Sequence, residues 1–321
     1  MLRRTILKTP LALVAATALT AGAALAQDDG KVTIGVAIPS ATHGFMGGLN
    51  WHAQQSIERM RQVYPDIEWV LSTAGDAAKQ VNDIEDMMAT RDIDGLVVLP
   101  FESEPLTAPV KAVKEAGKWV TVVDRGLSEP GIEDLYVAGD NTAFGRVAGE
   151  WFRDNLGEGK KIVVLRGIPT TLDNERVAAF QAALEGSGVE ILDMQHGNWN
   201  RDDAFKVMQD YLTKYPQIDG VWAADDDMAM GVMEAIAAAG REGEMVVVGG
   251  AGMKEIVKRI MDKDPMLPVN VTYPPAQISA AIEMTALAFV SDAPMTGRYI
   301  IGSQLITPEN AERFYFPDSP F

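Results

Sequence analysis

The sequence predicts an α/β protein of two similar domains, each a parallel sheet covered by helices. Three observations predict it. Short apolar runs alternate with amphipathic segments along the chain from about residue 30 onward. The runs are almost continuously hydrophobic, as strands buried on both faces are. The two halves also look alike. Ile93-Asp94-Gly95-Leu96-Val97-Val98-Leu99 is echoed by Ile218-Asp219-Gly220-Val221-Trp222-Ala223-Ala224, and each run leads into acidic residues and another helix. Nine or more strands could instead close a barrel or spread into one wide sheet, but the repeat favours two sheets.

The chain opens with Arg3, Arg4 and Lys8, an apolar small-residue run from Leu11 to Ala26, and an Ala24-Leu25-Ala26 end. This pattern reads as a secretory signal peptide, residues 1–26, cleaved near Ala26. The run is short for a membrane span and contains Thr17 and Thr20. Strands follow at Val32–Ile38, Glu68–Leu71, Gly95–Leu99, Trp119–Val123, Lys161–Leu165, Glu190–Met194, Gly220–Ala224, Met245–Val248 and Pro268–Thr272. Between them lie helical patterns such as Val81-Ile84-Met87-Met88 and Phe205-Met208-Tyr211-Leu212. No Pro-, Gly- or Ser-rich linker separates the halves, so several short crossings must join them.

Charge and composition narrow the function. Removing the three basic residues of the leader leaves 25 basic against 45 acidic residues, a net charge of about −20. Such a chain is expected to be a poor nucleic-acid binder and to stay soluble and monomeric by self-repulsion. It has no cysteine, which excludes disulfides, thiol nucleophiles and Cys-ligated metals. The three histidines, His43, His52 and His196, lack metal spacing. Asp225-Asp226-Asp227 invites a cation, but acids at a helix start also simply complement its dipole. No phosphate-binding glycine motif or G-x-S-x-G elbow is present, so the glycines around Phe45 read as helix entry rather than a phosphate cradle.

Ligands of open α/β sheets sit beyond the carboxyl ends of the strands. The residues there are His43-Gly44-Phe45-Met46, Asp124-Arg125-Gly126, Thr170 to Arg176, Asn198-Trp199-Asn200-Arg201, Asp225-Asp226-Asp227, Gly249-Gly250-Ala251-Gly252 and Tyr273-Pro274-Pro275. Acids, arginines, amides and aromatics recur. That mix suits a sugar, with polar groups gripping vicinal hydroxyls and aromatic faces covering C–H faces.

The pieces IDGLVVLP (93–100), VTVVDRG (120–126), VAGDNTAFGRVAGEW (137–151), ERVAAFQAAL (175–184), GVWAADDDMAMGVMEAI (220–236) and MVVVGG (245–250) stand in an informative order and spacing. In these the chain resembles the periplasmic sugar-binding proteins of ABC transporters, specifically the ribose-binding-like group with the type I periplasmic-binding fold. The resemblance covers essentially the whole chain after the leader. It implies two Rossmann-like domains with parallel sheets joined by a three-crossing hinge, near Val137–Asp140, Val271–Tyr273 and Tyr299–Ser303. The expected lobes are 31–138 plus 273–300 and 139–272 plus 301–321, the latter ending in a tail anchored by Phe314, Tyr315 and Phe316.

The resemblance also implies a ligand set in the cleft: His43, Phe45, Met46, Asp124, Arg125, Arg176, Trp199, Asp225, Ala251 and Tyr273. At two of these places the chain departs from ribose-like binders. Ala251 stands where they carry Asp, and Tyr273 where they carry Gln. The wall is thereby less polar, which suits another pentose, a deoxy sugar, a polyol or a differently shaped solute. The expected function is a periplasmic receptor, not an enzyme, for a small sugar or polyol. It needs no cofactor or metal, and its expected partners are an ABC permease and, second, a chemoreceptor. A same-fold receptor for an autoinducer, a nucleoside or a small amine is the alternative. Sugar-responsive repressors share the fold but carry a basic helix-turn-helix where this chain has its leader.

Overall fold

The computed structural model describes residues 31–321. The segment read as a signal peptide lies outside the described residues. In chain order the elements are β1 (Val32–Pro39), α1 (Gly44–Val63), β2 (Ile67–Ala74), α2 (Ala77–Arg91), β3 (Gly95–Val98), α3 (Ser103–Glu115), β4 (Trp119–Val123), β5 (Leu135–Gly139), α4 (Asn141–Leu156), β6 (Lys161–Arg166), α5 (Thr171–Leu184), β7 (Glu190–His196), α6 (Arg201–Lys214), β8 (Gly220–Ala223), α7 (Asp226–Ala238), β9 (Val246–Val248), α8 (Lys254–Met261), β10 (Asn270–Val271), α9 (Gln277–Val290), β11 (Gly297–Ile301) and β12 (Leu305–Ile306). A 3-10 turn spans Ala311–Phe314.

Two parallel sheets carry the fold. One has six strands in the order β11-β5-β4-β3-β1-β2 and the other four, β7-β6-β8-β9. Every pairing within them is parallel, from Ile34 beside Trp69 to Trp222 beside Val248. The cause lies in the central strands, where β3 and β8 are buried along their whole length and helices must therefore cover both faces. Helices α1 and α9 lie together, as do α2 and α3, α4 and α5, and α6 and α7.

Side chains past the strands start several of the helices. Asp76, Asp140, Thr170, Asn200 and Asp225 each accept the backbone N–H three residues on, satisfying a free donor of the first turn. At Gly145 a Cβ would lie 1.9 Å from the Arg176 carbonyl oxygen. Only glycine lets α4 and α5 approach so closely, and that approach sets where Arg176 points.

The sequence reading differs from this topology in three places. Leu135–Gly139 and Gly297–Ile301 are full strands of the six-stranded sheet, where only short strand-like crossings near Val137–Asp140 and Tyr299–Ser303 were expected. The crossings are the residues that follow them. The expected ninth strand is only two residues long and pairs antiparallel with β12, because the chain there passes between the sheets instead of joining one.

The chain makes that passage three times, after Gly139, around Thr272–Tyr273 and at Gly302–Gln304. The three passages hold one another. Asp140 N donates to Ile301 O (2.9 Å), Ser303 Oγ to Asp140 O (3.2 Å), and Thr272 N to Gln304 O (2.9 Å).

The tail also departs from expectation. Phe314 and Tyr315 are half-buried against the core, but Phe316 is 60% exposed and Phe321 is the buried aromatic.

Candidate functional site

All ten residues singled out from the sequence line one cavity, and Leu172 completes its wall. They arrive from the carboxyl ends of both sheets. His43 is the N-cap of α1, and Phe45 and Met46 lie in its first turn. Asp124 and Arg125 follow β4, Arg176 sits on α5, Trp199 follows β7, Asp225 caps α7, Ala251 follows β9, and Tyr273 lies on the second crossing. A wider mouth adjoins the cavity. It shares Asp124, Arg125 and Trp199 with it and adds residues such as Phe101, Tyr136, Ile168 and Glu175.

The backbone around the cavity is unusual. Asp124 (φ 59°), Asn198 (φ 57°), Trp199 (φ 54°) and Ala251 (φ 114°) all have positive φ without being glycine. Only Asp92 and Lys263 do so elsewhere among the described residues. Non-glycine residues occupy this region at a cost, and such residues gather where function over-determines the backbone.

Asp124 is 5% exposed and heavily constrained. Its Oδ1 accepts from the Tyr273 hydroxyl (2.5 Å) and Gln277 Nε2 (3.1 Å), and its carbonyl accepts from the Tyr136 hydroxyl (2.6 Å). Gln277 Oε1 in turn accepts from Gly139 N. Burial, reinforced by the Asp124 carboxylate, pushes the Tyr136 phenol up to about 12 and the Tyr273 phenol well above its ordinary value. Both hydroxyls therefore stay protonated and act as donors.

Arg176 is held as firmly. Its guanidinium lies 4.3 Å from the centre of the Phe144 ring and 4.4 Å from that of Tyr273. Nε donates to Asn141 Oδ1 (2.9 Å) and one terminal nitrogen to Ala224 O (3.0 Å). Arg125 donates to Phe101 O (2.5 Å) and lies 5.9 Å from the Trp199 ring centre. Burial lowers its pKa, with Asp124 acting the other way.

Three nitrogens of the wall, His43 Nδ1, Arg125 Nε and Trp199 Nε1, are buried with no hydrogen-bond partner in the protein. Nε of an arginine and Nε1 of a tryptophan can only donate. A buried donor without an acceptor costs about 1–3 kcal/mol, so Arg125 Nε fits a ligand that brings an acceptor, whereas Trp199 Nε1 packs on Gly167, where an added Cβ would lie 2.0 Å from it.

The acidic run divides its work. Asp225 faces the cavity and accepts from Met228 N (3.1 Å). Burial, then the neighbouring Asp227, pushes its pKa up to about 7. Asp226 points away into the protein, accepting from Gly252 N, Met253 N and Asn270 Nδ2 (2.9, 2.8 and 2.6 Å). It thus pins the loop bearing Ala251, and burial raises it also to about 7. Asp227 reaches α1, where Phe45 N donates to Oδ2 at 3.4 Å and His43 Nδ1 lies at 3.7 Å. Among the described residues no three acidic or histidine side chains are grouped to hold a metal ion.

The arrangement was compared with known proteins. Residues 34–291 match the family described as periplasmic binding protein domain. The chain belongs to this family. Its relatives include the ribose import binding protein of Escherichia coli, 27% identical over 304 residues, which span 94% of this chain and 98% of the relative. A solute-binding protein of an ABC transporter from Bacillus halodurans, solved with bound myo-inositol, superimposes with a TM-score of 0.80. The match covers 90% of this chain and 99% of that one, and at 22% identity it speaks for the fold alone. A Mycobacterium smegmatis solute-binding protein with bound glycerol reaches 0.79 at 28% identity, covering 90% and 98%. The two parallel sheets and three passages are thus the type I periplasmic-binding fold.

Sequence reasoning missed Leu172 as an individual contact and Asn141 altogether. Asn141 follows β5, so reading Leu135–Gly139 as a strand would have placed it among the strand-end residues.

Proposed function

We propose that the protein is a periplasmic solute receptor of an ABC importer, and that it binds a small neutral sugar or polyol in the cavity between two lobes. The lobes are residues 31–138 plus 273–300 and 139–272 plus 301–321. The three passages act as the hinge, ligand contacts from both sides favour the closed form, and the closed surface docks on a membrane permease. The observation that carries the ligand class is the presence in one cavity wall of the acceptor-less donor Arg125 Nε and the carboxyl of Asp225. A hydroxyl answers both, since it accepts from the nitrogen and donates to the carboxylate. A small amine in its charged form has nothing to offer the donor and meets two guanidiniums, so the amine alternative is disfavoured.

Thermal unfolding against sugars, polyols, nucleosides and amines tests this. A ligand at about a thousand times its Kd adds roughly 4 kcal/mol, a rise of several degrees. A rise with one or two stereochemically related sugars or polyols is expected. Rises confined to amines or nucleosides would overturn the ligand class.

A further inference from the structure

The segment 311–321 connects the two sides of the cavity in a way its sequence does not announce. Its 3-10 turn packs on α8, which follows the last strand of the four-stranded sheet. Lys254 of α8 donates through Nζ to Ser319 O (2.6 Å) and lies 3.4 Å from Pro317 O. From there the chain runs to Phe321, which is 4% exposed, and whose partners lie elsewhere. Its ring meets Phe45 edge-on, with centroids 5.9 Å apart and planes at 90°. Phe45, in the first turn of α1, lines the cavity.

The opposite surface is shaped for this ring. A Cβ on Gly48 would lie 2.6 Å from Phe321 Cβ and 3.1 Å from Pro275 Cγ. Gly48 is a helix-interior glycine, which costs helix stability relative to alanine, and here it opens a notch that the aromatic fills. Phe45, Phe321, Tyr273 and Phe144 then form a chain of aromatic contacts running from α1 to α4.

We propose that Phe321 is a positioning residue for the cavity: seated in the Gly48 notch behind Phe45, it turns segment 311–321 into a strap that holds the closed form. The inference rests on the hinge reading above. Opening the cleft moves α1 away from α8, so the strap must release Phe321 or stretch.

The test uses the absence of cysteine. Ala112→Cys on α3 and Ala178→Cys on α5 lie at exposed positions on helices that start at the cleft rim. Spin labels there report the open and closed populations by pulsed dipolar spectroscopy, without ligand and with D-ribose, myo-inositol, xylitol or glycerol. Phe321→Ala should move the unliganded population toward the longer distance by about tenfold or more, as expected for a lost buried aromatic contact. Phe321→Leu should restore most of it. Gly48→Ala should open the cleft as well, although alanine is the better helix former. Two distances in the parent that Phe321→Ala and Gly48→Ala leave unchanged would refute the strap while keeping the hinge. A single distance in every protein, with and without the probes, would refute the hinge and the strap with it.

Discussion

Adding one methyl group at Gly139 should disable a phenol on another part of the chain. A Cβ there would lie 2.2 Å from Tyr273 Cε2 and 2.6 Å from Cδ2. The ring has to retreat about 1.2 Å to reach the 3.4 Å of ordinary contact. Its hydroxyl, now 2.5 Å from Asp124 Oδ1, then passes out of hydrogen-bond range. Overpacking costs about 1–3 kcal/mol, and losing a bond to a buried carboxylate about 1.5–3 kcal/mol. Gly139→Ala should therefore destabilise by about 2.5–6 kcal/mol. At roughly 2 °C per kcal/mol for a chain of this size, the thermal midpoint drops by about 5–12 °C. Circular dichroism melts of a double-mutant cycle check the cause. With Tyr273→Ala the ring is gone, and Gly139→Ala should then cost less than about 0.5 kcal/mol. An equal cost in both backgrounds, or none in the parent, would show that the ring contact does not operate as described.

Other outcomes follow from the same geometry. Arg176→Lys keeps the charge but loses the fork to Asn141 and Ala224 and the sandwich between two rings, so calorimetry should show ligand affinity falling about 10–100-fold. Trp199→Ala removes the aromatic face that lines the cavity and stands 5.9 Å from the Arg125 guanidinium, so affinity should fall about tenfold or more; unchanged affinity would mean that the ring does not meet the ligand. Asp225 and Asp226 have folded pKa values of about 7, above the unfolded value of 3.8. The folded form therefore holds protons that the unfolded chain releases, and unliganded stability should fall as pH rises from about 4 to 7. The depressed carboxyls of Asp193 and Asp219 work in the opposite sense, but only as pH falls below about 4. Asp226→Asn should remove part of the slope seen in melts across pH 5–7. Its cost should stay near 1 kcal/mol, because a flipped Asn270 can present the Oδ1 that is now buried without a partner.

Most of the architecture was legible because buried parallel strands announce themselves. Val32–Ile38 and Gly220–Ala224 are apolar runs with nothing to imitate them. The strands that escaped notice, Leu135–Gly139 and Gly297–Ile301, mix Gly, Tyr and Arg with apolar residues, and β11 is an edge strand with little buried. The cavity residues were legible from position, since whatever follows a strand in such a fold faces the ligand side. Their roles were less so. Nothing in Asp225-Asp226-Asp227 says that one acid faces the cavity, one pins a loop and one reaches α1. Helical rotation through 100° per residue separates them, and what each meets depends on segments far along the chain. Phe316 and Phe321 are equally apolar in sequence, and only the notch at Gly48 decides which is buried.

Tyr273 occupies a passage between the sheets and at the same time a wall of the cavity. On the proposed hinge its backbone moves as the cleft opens, while its ring touches Arg176, Phe45 and Phe144 and its hydroxyl holds Asp124. A substitution there that adapts the cavity to a new solute also changes the mechanics of opening. Trp199, on the loop after β7, and Leu172, in the first turn of α5, stand on one side only, so they can vary without that coupling. Diversification of ligand choice in close relatives should thus run through positions 172 and 199 first, with position 273 changing only together with its partners at 124, 139 and 176.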